Sequence, residues 1–465
     1  MGFRVYNSLT KKIEDLRPLN PEQVTMYLCG PTVYSYVSIG NYRTYTLGDL
    51  VHRTLLFNDY SVKYIMNFTD VGHLTGDNEG DADIGGDRLE EAAAREGRTA
   101  RDIADYYIKD FLIGYEKLNL IKPHKFTRAT DYIEEQVNLI RTLERKGFTY
   151  KTSDGVYFDT SKFEQYGALS GLDAETIREG TRVEPNPEKH NPADFALWKL
   201  SKPEDKRWQE WESPWGVGFP GWHLECSAMS LKELGETIDL HLGGEDLRMI
   251  HHQNEIAQSE AATGKKFVQC WMHGAFLQVD GGRMGRSTGN AYTIQDVIDK
   301  GYDPISLRYL YMTAHYRTPL NFTWESLQNA QNSLKKLYDI VSGYKESESA
   351  QPSDRHISNF LSALNEDLNL PEALAVCWDM LKSNLTEPTK LATILKMDKV
   401  LGLRLEDAIG YEIPANVTNL AKTRQEYRKV GIWDKADQVR RQIGELGYAV
   451  EDLSDGRFKV KRKIS

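Results

Sequence analysis

Cysteine is scarce in this 465-residue chain. The four present, Cys29, Cys226, Cys270 and Cys377, are spread too widely for a disulfide framework. A cysteine with a special role is therefore expected to be a metal ligand or a nucleophile. No apolar run approaches the roughly 18 to 20 residues that cross a bilayer, and 27% of residues are charged. The opening, MGFRVYNSLTKKIEDL, lacks an apolar h-region, and Tyr6 stands where a myristoylation signal has Ser or Thr. No membrane is expected, and the cytoplasm is the expected compartment. Internal repeats and long low-complexity tracts are missing too. So is an excess of positive charge: a net charge of −10 argues against indiscriminate nucleic-acid binding. What basic character exists is terminal, because residues 411–465 hold 12 Lys+Arg against 8 Asp+Glu while the remainder holds 46 against 60.

The length suggests two to four domains with ample apolar content for burial. VTMYLCG (residues 24–30) and SVKYIMNFTD (61–70) read as buried strands, separated by a segment of helical spacing, TYTLGDLVHRTLLFNDY (44–60). Strand, helix, strand indicates a parallel α/β sheet. From about residue 109 to 212 the pattern is irregular, with a helix expected in DYIEEQVNLIRTLERKG (131–147) and a polar stretch, REGTRVEPNPEKHNP (178–192). This reads as an insertion between two halves of the sheet. Strand patterns resume at IDLHLGG (238–244) and KFVQCWMHGAF (266–276). After Trp324 helical periodicity runs to about Gly402, with KESESAQPSD (345–354) as a polar link and Pro371 placed to begin a helix. The expected division is a catalytic domain from 1–108 and 213–323, an insertion at 109–212, a helical stem and bundle at 324–410, and a small α+β module at 411–465.

Two constellations carry chemistry. Cys226 lies in GFPGWHLECSAMS (218–230), and HHQNE (251–255) puts His251 and Glu255 four apart, on one face if helical. Cys29, Cys226, His251 and Glu255 form a plausible zinc set. Spacing alone fits two unrelated buried cysteines better, since free cysteine packs as a small apolar residue, and His252 competes with His251. The second constellation concerns phosphate. A strand ending in Gly30, a Pro-containing turn, and Ser38-Ile39-Gly40-Asn41 before a helix would aim backbone N–H groups at an anion. GGRMGRSTGN (281–290) adds a glycine-rich loop whose Arg283 and Arg286 could close over a polyphosphate.

CGPTVYSYVSIGN, NFTDVGHLT, FPGWHLECSAMS, HHQNEIAQSEAATGK and GRMGRSTGN, in this order, resemble the cysteinyl-tRNA synthetase family of class I aminoacyl-tRNA synthetases. The similarity runs end to end, and WDKADQVRRQIGELGYAVED (433–452) is similar to that family's anticodon-recognising module. The resemblance implies an α/β fold: a Rossmann-like parallel-sheet catalytic domain with an insertion, then a helical bundle and the small C-terminal module. It implies zinc on Cys29, Cys226, His251 and Glu255, with the substrate thiolate joining the metal. It places Thr69 and Trp222 near the bound amino acid. A plain core aromatic is the competing reading of Trp222. Ser38, Gly40, Asn41, Arg283 and Arg286 take the family's ATP-binding and catalytic positions. Trp433 would stack on an anticodon base, with Asp437 and Asp452 accepting from base edges. The implied partners are L-cysteine, ATP with Mg2+, and tRNA(Cys), and a monomer is expected.

Two departures from the family pattern bear on activity. Ser38 stands where the first histidine of His-Ile-Gly-His or His-Ile-Gly-Asn is expected, and Arg283-Met284-Gly285-Arg286-Ser287 replaces Lys-Met-Ser-Lys-Ser. Loss of one charge-assisted contact, about 1.5–3 kcal/mol, would slow activation on the order of 10 to 150-fold without compensation. Arginine at both lysine positions keeps the charge in a different geometry. Two further readings compete. One is a paralogue that ligates activated cysteine to a small amine, as the mycothiol cysteine ligases do. The other is a non-catalytic paralogue that binds cysteine or RNA.

Overall fold

A computed structural model describes residues 2–72, 74, 85–171, 186–202, 207–285, 289–344, 349–409, 414–452 and 457–462. Its centre is a five-stranded parallel sheet. The strands are β1 (Gln23–Leu28), β2 (Ser61–Phe68), β3 (Lys125–Arg128), β4 (Ile238–Gly244) and β5 (Val268–Gly274), and their spatial order is β5-β4-β1-β2-β3. Every pairing is parallel. The chain builds outward from β1 through β2 to β3, then returns to the other side of β1 for β4. The order reverses between β1 and β4, and in open α/β sheets the crevice at such a point takes the ligand.

Alternation along the strands decides what lies on each face. Met26 and Leu28 of β1, Leu240 and Leu242 of β4, and Met272 of β5 face one core together with Leu47, Leu50 and Val51 of α1 (Ile39–Phe57). Their neighbours Tyr27, Cys29 and Trp271 face the opposite core with Cys226 and Ile256, carried by α2 (Trp222–Leu234) and α3 (His251–Thr263). A period of two thus turns Cys29 toward the helices that carry Cys226 and His251.

The insertion differs from the expected boundaries. Lys125–Arg128 pairs with β2, so the central sheet is not complete until residue 128. The inserted sheet is antiparallel, running from Thr149–Thr152 through Gly155–Phe158 and Phe195–Leu200 to Gly218–Pro220, which extends it past residue 212. With Val137, Ile140 and Leu143 of the Ile133–Arg145 helix, its apolar face packs on Leu224 and Ala228 of α2 and on Ala257 and Ala261 of α3. The insertion braces the two helices behind the crevice.

The helices Trp324–Gly343, Asp354–Asn365, Leu370–Lys382 and Glu387–Leu401 share the core of the sheet's α1 side. A buried ion pair welds this joint. Arg308, fully buried, donates to Asp49 at 2.6 Å, to Leu401 O at 2.5 Å and to Leu118 O at 3.2 Å. Asp49 also accepts from Arg53 at 2.8 Å and from the Ile121 amide at 2.7 Å. Gly402 ends the Glu387–Leu401 helix at φ +63°, and a Cβ there would lie 2.7 Å from the Arg308 guanidinium, so glycine is required twice over. The last module has its own small core. Val417 and Ala421 of the Ala415–Lys429 helix meet Val439 and Ile443 of Trp433–Glu445 and Val450 of a two-stranded antiparallel hairpin. Among the described residues no helix is long and apolar enough to cross a membrane.

Arg308→Leu should leave the buried Asp49 charge to Arg53 alone and the Leu401 and Leu118 carbonyls without their donor, and lower stability by about 3–5 kcal/mol, read from the urea midpoint. Adding Asp49→Asn should recover part of that loss. Strictly additive losses would contradict the pairing.

Candidate active site

At the carboxyl end of β1 the chain must pass very close to β2. A Cβ on Gly30 would fall 1.7 Å from Asn67 O, so only glycine fits, and the Gly30 amide donates to the Asn67 side chain at 2.9 Å. At the end of β4, a Cβ on Gly243 would lie 2.4 Å from His252 Cε1. These two glycines open the crevice that the side chains then fill.

Cys29, Cys226, His251 and Glu255 come together there, with ligand atoms all within 4.8 Å of one another and every residue buried. The sulfurs of Cys29 and Cys226 are 3.7 Å apart. That is far beyond a disulfide bond and matches the roughly 3.8 Å between two thiolates at about 2.3 Å from one tetrahedral ion. His251 Nε2 lies 3.0 Å from Glu255 Oε1, the two being one turn apart on α3. Cys29, His241, His252 and Glu255 satisfy the same distance test. The two sets share a thiol and a carboxylate, and their surroundings separate them. Cys29, Cys226 and His251 line an open chamber, whereas His241 and His252 do not. His241 Nε2 sits 2.9 Å from Glu255 Oε2 and His252 Nε2 sits 3.3 Å from Cys29 Sγ. His252 Nδ1 is 2.8 Å from His273 Nε2, whose Nδ1 is 2.8 Å from Ser8 Oγ. This is the arrangement of imidazoles that support ligands from behind.

Electrostatics follow from burial. Burial raises the Glu255 carboxyl, yet His241 and His251 hold it down to about 2. Burial lowers His251, but Glu255 and Cys226 lift it to about 10. Burial and the Cys226 thiol push Cys29 up, while Cys226 is pulled down against its burial by Cys29 and His251. The donor set of two sulfurs, one imidazole and one carboxylate suits a soft or borderline divalent cation.

The chamber above the cluster has a volume of about 300 Å3 and is lined also by Thr69, Asn67 and Trp222. Trp222, the first residue of α2, holds its ring 4.5 Å from that of His251 and is not fully buried. It is not a plain core residue. A second cavity of about 710 Å3 shares Asn41, Trp222, Asp246 and His251 with the first, and Ser38, Gly40, Arg283 and Met284 line its far side. Asp246, at the mouth of both, was not among the residues expected from the sequence. Its place just after the Gly243-Gly244 strand end at the order reversal is the signal that marks it.

Ser38 is the N-cap of α1. Its Oγ accepts from the Asn41 amide at 3.3 Å and donates to Asn41 Oδ1 at 2.7 Å. The helix consequently starts at Ile39, ahead of the expected Thr44. Met284 crosses this helix start, 3.1 Å from where a Gly40 Cβ would be. Arg43, one turn on, donates to the carbonyls of Ala275, Phe276, His315 and Thr318, pinning α1 to the base of the glycine-rich loop. Arg286 lies outside the described residues, as do His73 and Thr75 of the NFTDVGHLT motif.

In the last module, Trp433 is 57% exposed with Arg428 5.2 Å over its ring, which removes the alternative of a core tryptophan. Asp437 is exposed. Asp452 is exposed as well. Its two oxygens hold the buried Arg424 at 2.7 and 2.8 Å, because a guanidinium that is 1% exposed needs a paired anion.

Residues 15–332 match the family model described as tRNA synthetases class I (C) catalytic domain. The cysteine–tRNA ligase 1 of Burkholderia lata is 44% identical over 98% of this chain and 96% of its own length. The chain belongs to the cysteine–tRNA ligase family. A second relative in that family, the cysteine–tRNA ligase of Treponema denticola, is 36% identical over 97% of this chain and 98% of its own length. The fold is shared more widely. Methionyl-tRNA synthetase of Mycobacterium tuberculosis, solved with methionyl-adenylate, superposes with a TM-score of 0.56 at 14% identity, over 82% of this chain and 90% of that one.

Cys226→Ser should leave the purified protein with little bound metal, since a hydroxyl is a poor ligand at neutral pH. His252→Ala should keep stoichiometric metal but weaken its affinity by about 10 to 100-fold. Full metal in the first variant, or none in the second, would point to the other donor set.

Proposed function

We propose that this chain activates L-cysteine with ATP and transfers it to the 3′ end of tRNA(Cys). The observation that carries the reading is the thiol-rich cluster at the base of a small chamber that opens into a larger one, in a chain of the cysteine–tRNA ligase family. Serine and cysteine differ by one atom, and a cavity that reads size alone separates near-isosteric side chains by only about 10 to 200-fold. Zinc held by Cys29, Cys226, His251 and Glu255 would supply the preference for a thiolate over a hydroxyl. Trp222 and Thr69 would enclose the amino acid beside it.

The larger cavity suits ATP with Mg2+. The Gly40 amide and the Asn41 side-chain amide at the start of α1, and the charge of Arg283 and Arg286, would steady the phosphates as the cysteine carboxylate attacks the α-phosphate and pyrophosphate leaves. The acyl group then passes to the terminal ribose of tRNA. No side chain of the protein need act as a nucleophile, so positioning carries the rate. Ser38 would act through Asn41 and not on the phosphates, because its hydroxyl already serves the helix start. Trp433, Asp437 and the exposed edge of Asp452 would meet the anticodon, and the presence of this module favours tRNA over a small amine as acceptor.

Incubated with ATP and labelled cysteine, the protein should charge tRNA(Cys) at its 3′ end. Adenylate formation without charging would favour the small-amine acceptor. Bound metal and cysteine without adenylate would leave a binding protein.

A further inference from the structure

Beside the small chamber the surface carries aromatic side chains that add little to any core. Tyr34 lines the chamber, with Arg88 5.4 Å over its ring. Two residues on, Tyr36 turns outward and is 45% exposed. Its hydroxyl is 2.7 Å from that of Tyr106, itself 43% exposed. The buried Tyr107 holds both rings edge-on, at 5.2 and 5.1 Å. Arg98 lies 5.3 Å over the Tyr106 ring and also lines a surface cavity of about 430 Å3 with Trp208. Trp208 is 63% exposed. Side-chain contacts join Tyr36, Tyr106 and Arg98, Tyr36 follows the chamber-lining Tyr34 by two residues, and Arg98 shares its cavity with Trp208.

Exposed aromatic rings set against an arginine are what unpaired nucleotides stack on, because every base has a π-face and the cation adds to it. Pre-positioning matters as well. With Tyr107 and the shared hydroxyl contact holding it, the Tyr36 ring has little rotamer freedom left to lose on binding. The charge around the run favours a single strand. Glu96 and Asp102 stand beside Arg98, which suits bases turned inward and phosphates turned to solvent better than the closely spaced phosphates of a duplex.

We propose that Tyr36, Tyr106 and Trp208, with Arg98 between the last two, form a stacking platform for the unpaired 3′ end of tRNA as it enters the chamber. This rests on the reading of the chain as an enzyme that charges tRNA, and it names where the acceptor end lies outside the reaction chamber.

The test compares full-length tRNA(Cys) with the same tRNA lacking its last three nucleotides, binding each to wild-type protein, Tyr106→Ala, Trp208→Ala and Tyr106→Phe. Each alanine variant should weaken binding of the full-length tRNA on the order of 10-fold and leave the truncated tRNA unaffected. Tyr106→Phe, which keeps the ring but loses the hydroxyl contact to Tyr36, should weaken binding of the full-length tRNA far less than Tyr106→Ala does. Cysteine-dependent pyrophosphate exchange should be unchanged in all three. Equal weakening for both tRNAs, or none for either, would overturn the platform, as would a fall in exchange that parallels the loss of binding. A wild-type protein that charges tRNA while the alanine variants charge it equally well removes the platform alone. A wild-type protein that neither exchanges nor charges removes the functional reading and the platform with it.

Discussion

Two thiols, an imidazole and a carboxylate share one buried space behind the order reversal of the sheet. A charge on the carboxylate or the imidazole alone would carry a heavy desolvation cost there. Together they offset one another: His241 and His251 hold the Glu255 carboxyl down against its burial, and Glu255 and Cys226 hold His251 up against its own. Much of the surrounding architecture meets this one constraint. Strand alternation turns Cys29 to the right face, glycines at 30 and 243 clear the backbone from the crevice, and the inserted antiparallel sheet packs behind both ligand-bearing helices. A cation bound there would take the place of protons on the same ligand atoms.

The second half of the site is organised around a helix start. A serine at position 38 looks like a loss if its task is to touch phosphate, since it is short and uncharged. As an N-cap it does something a histidine does poorly, closing the first turn of α1 and orienting Asn41 over the cavity. The amides of that turn, and the arginine-bearing loop that crosses it at Met284, form one unit pinned by Arg43 to the end of β5. Anion binding would then fall to backbone and arginine groups, and the missing side chain matters less than a residue-for-residue comparison suggests.

Much of this was legible in the order of residues. IDLHLGG reads as a strand and is one, because a fully buried parallel strand is apolar or small along most of its length. His251 and Glu255 lie one turn apart on a helix, as their spacing requires. The edge strand Lys125–Arg128 escaped because four residues with two charges carry no apolar run, and the insertion was therefore drawn too early. Ser38-Ile39-Gly40-Asn41 reads as the approach to a helix, but that the Ser38 hydroxyl itself caps it shows only in the structure. The pairing of the exposed Asp452 with Arg424 is invisible in the sequence, since nothing in the chain reveals that Arg424, on a different element, is buried and must be paired. His241 and His252 show the same limit: their nearness to Glu255 and Cys29 arises only when strand and helix are packed.

The most direct test of this account is amino-acid-dependent ATP–pyrophosphate exchange by the metal-replete protein, with cysteine and serine compared, before and after removal of the metal by a chelator. The account predicts exchange with cysteine, none with serine, and loss of the cysteine signal when the metal is removed. Exchange that accepts serine as readily as cysteine, or that survives complete metal removal, would contradict the claim that a thiol-reading metal centre is what selects the substrate.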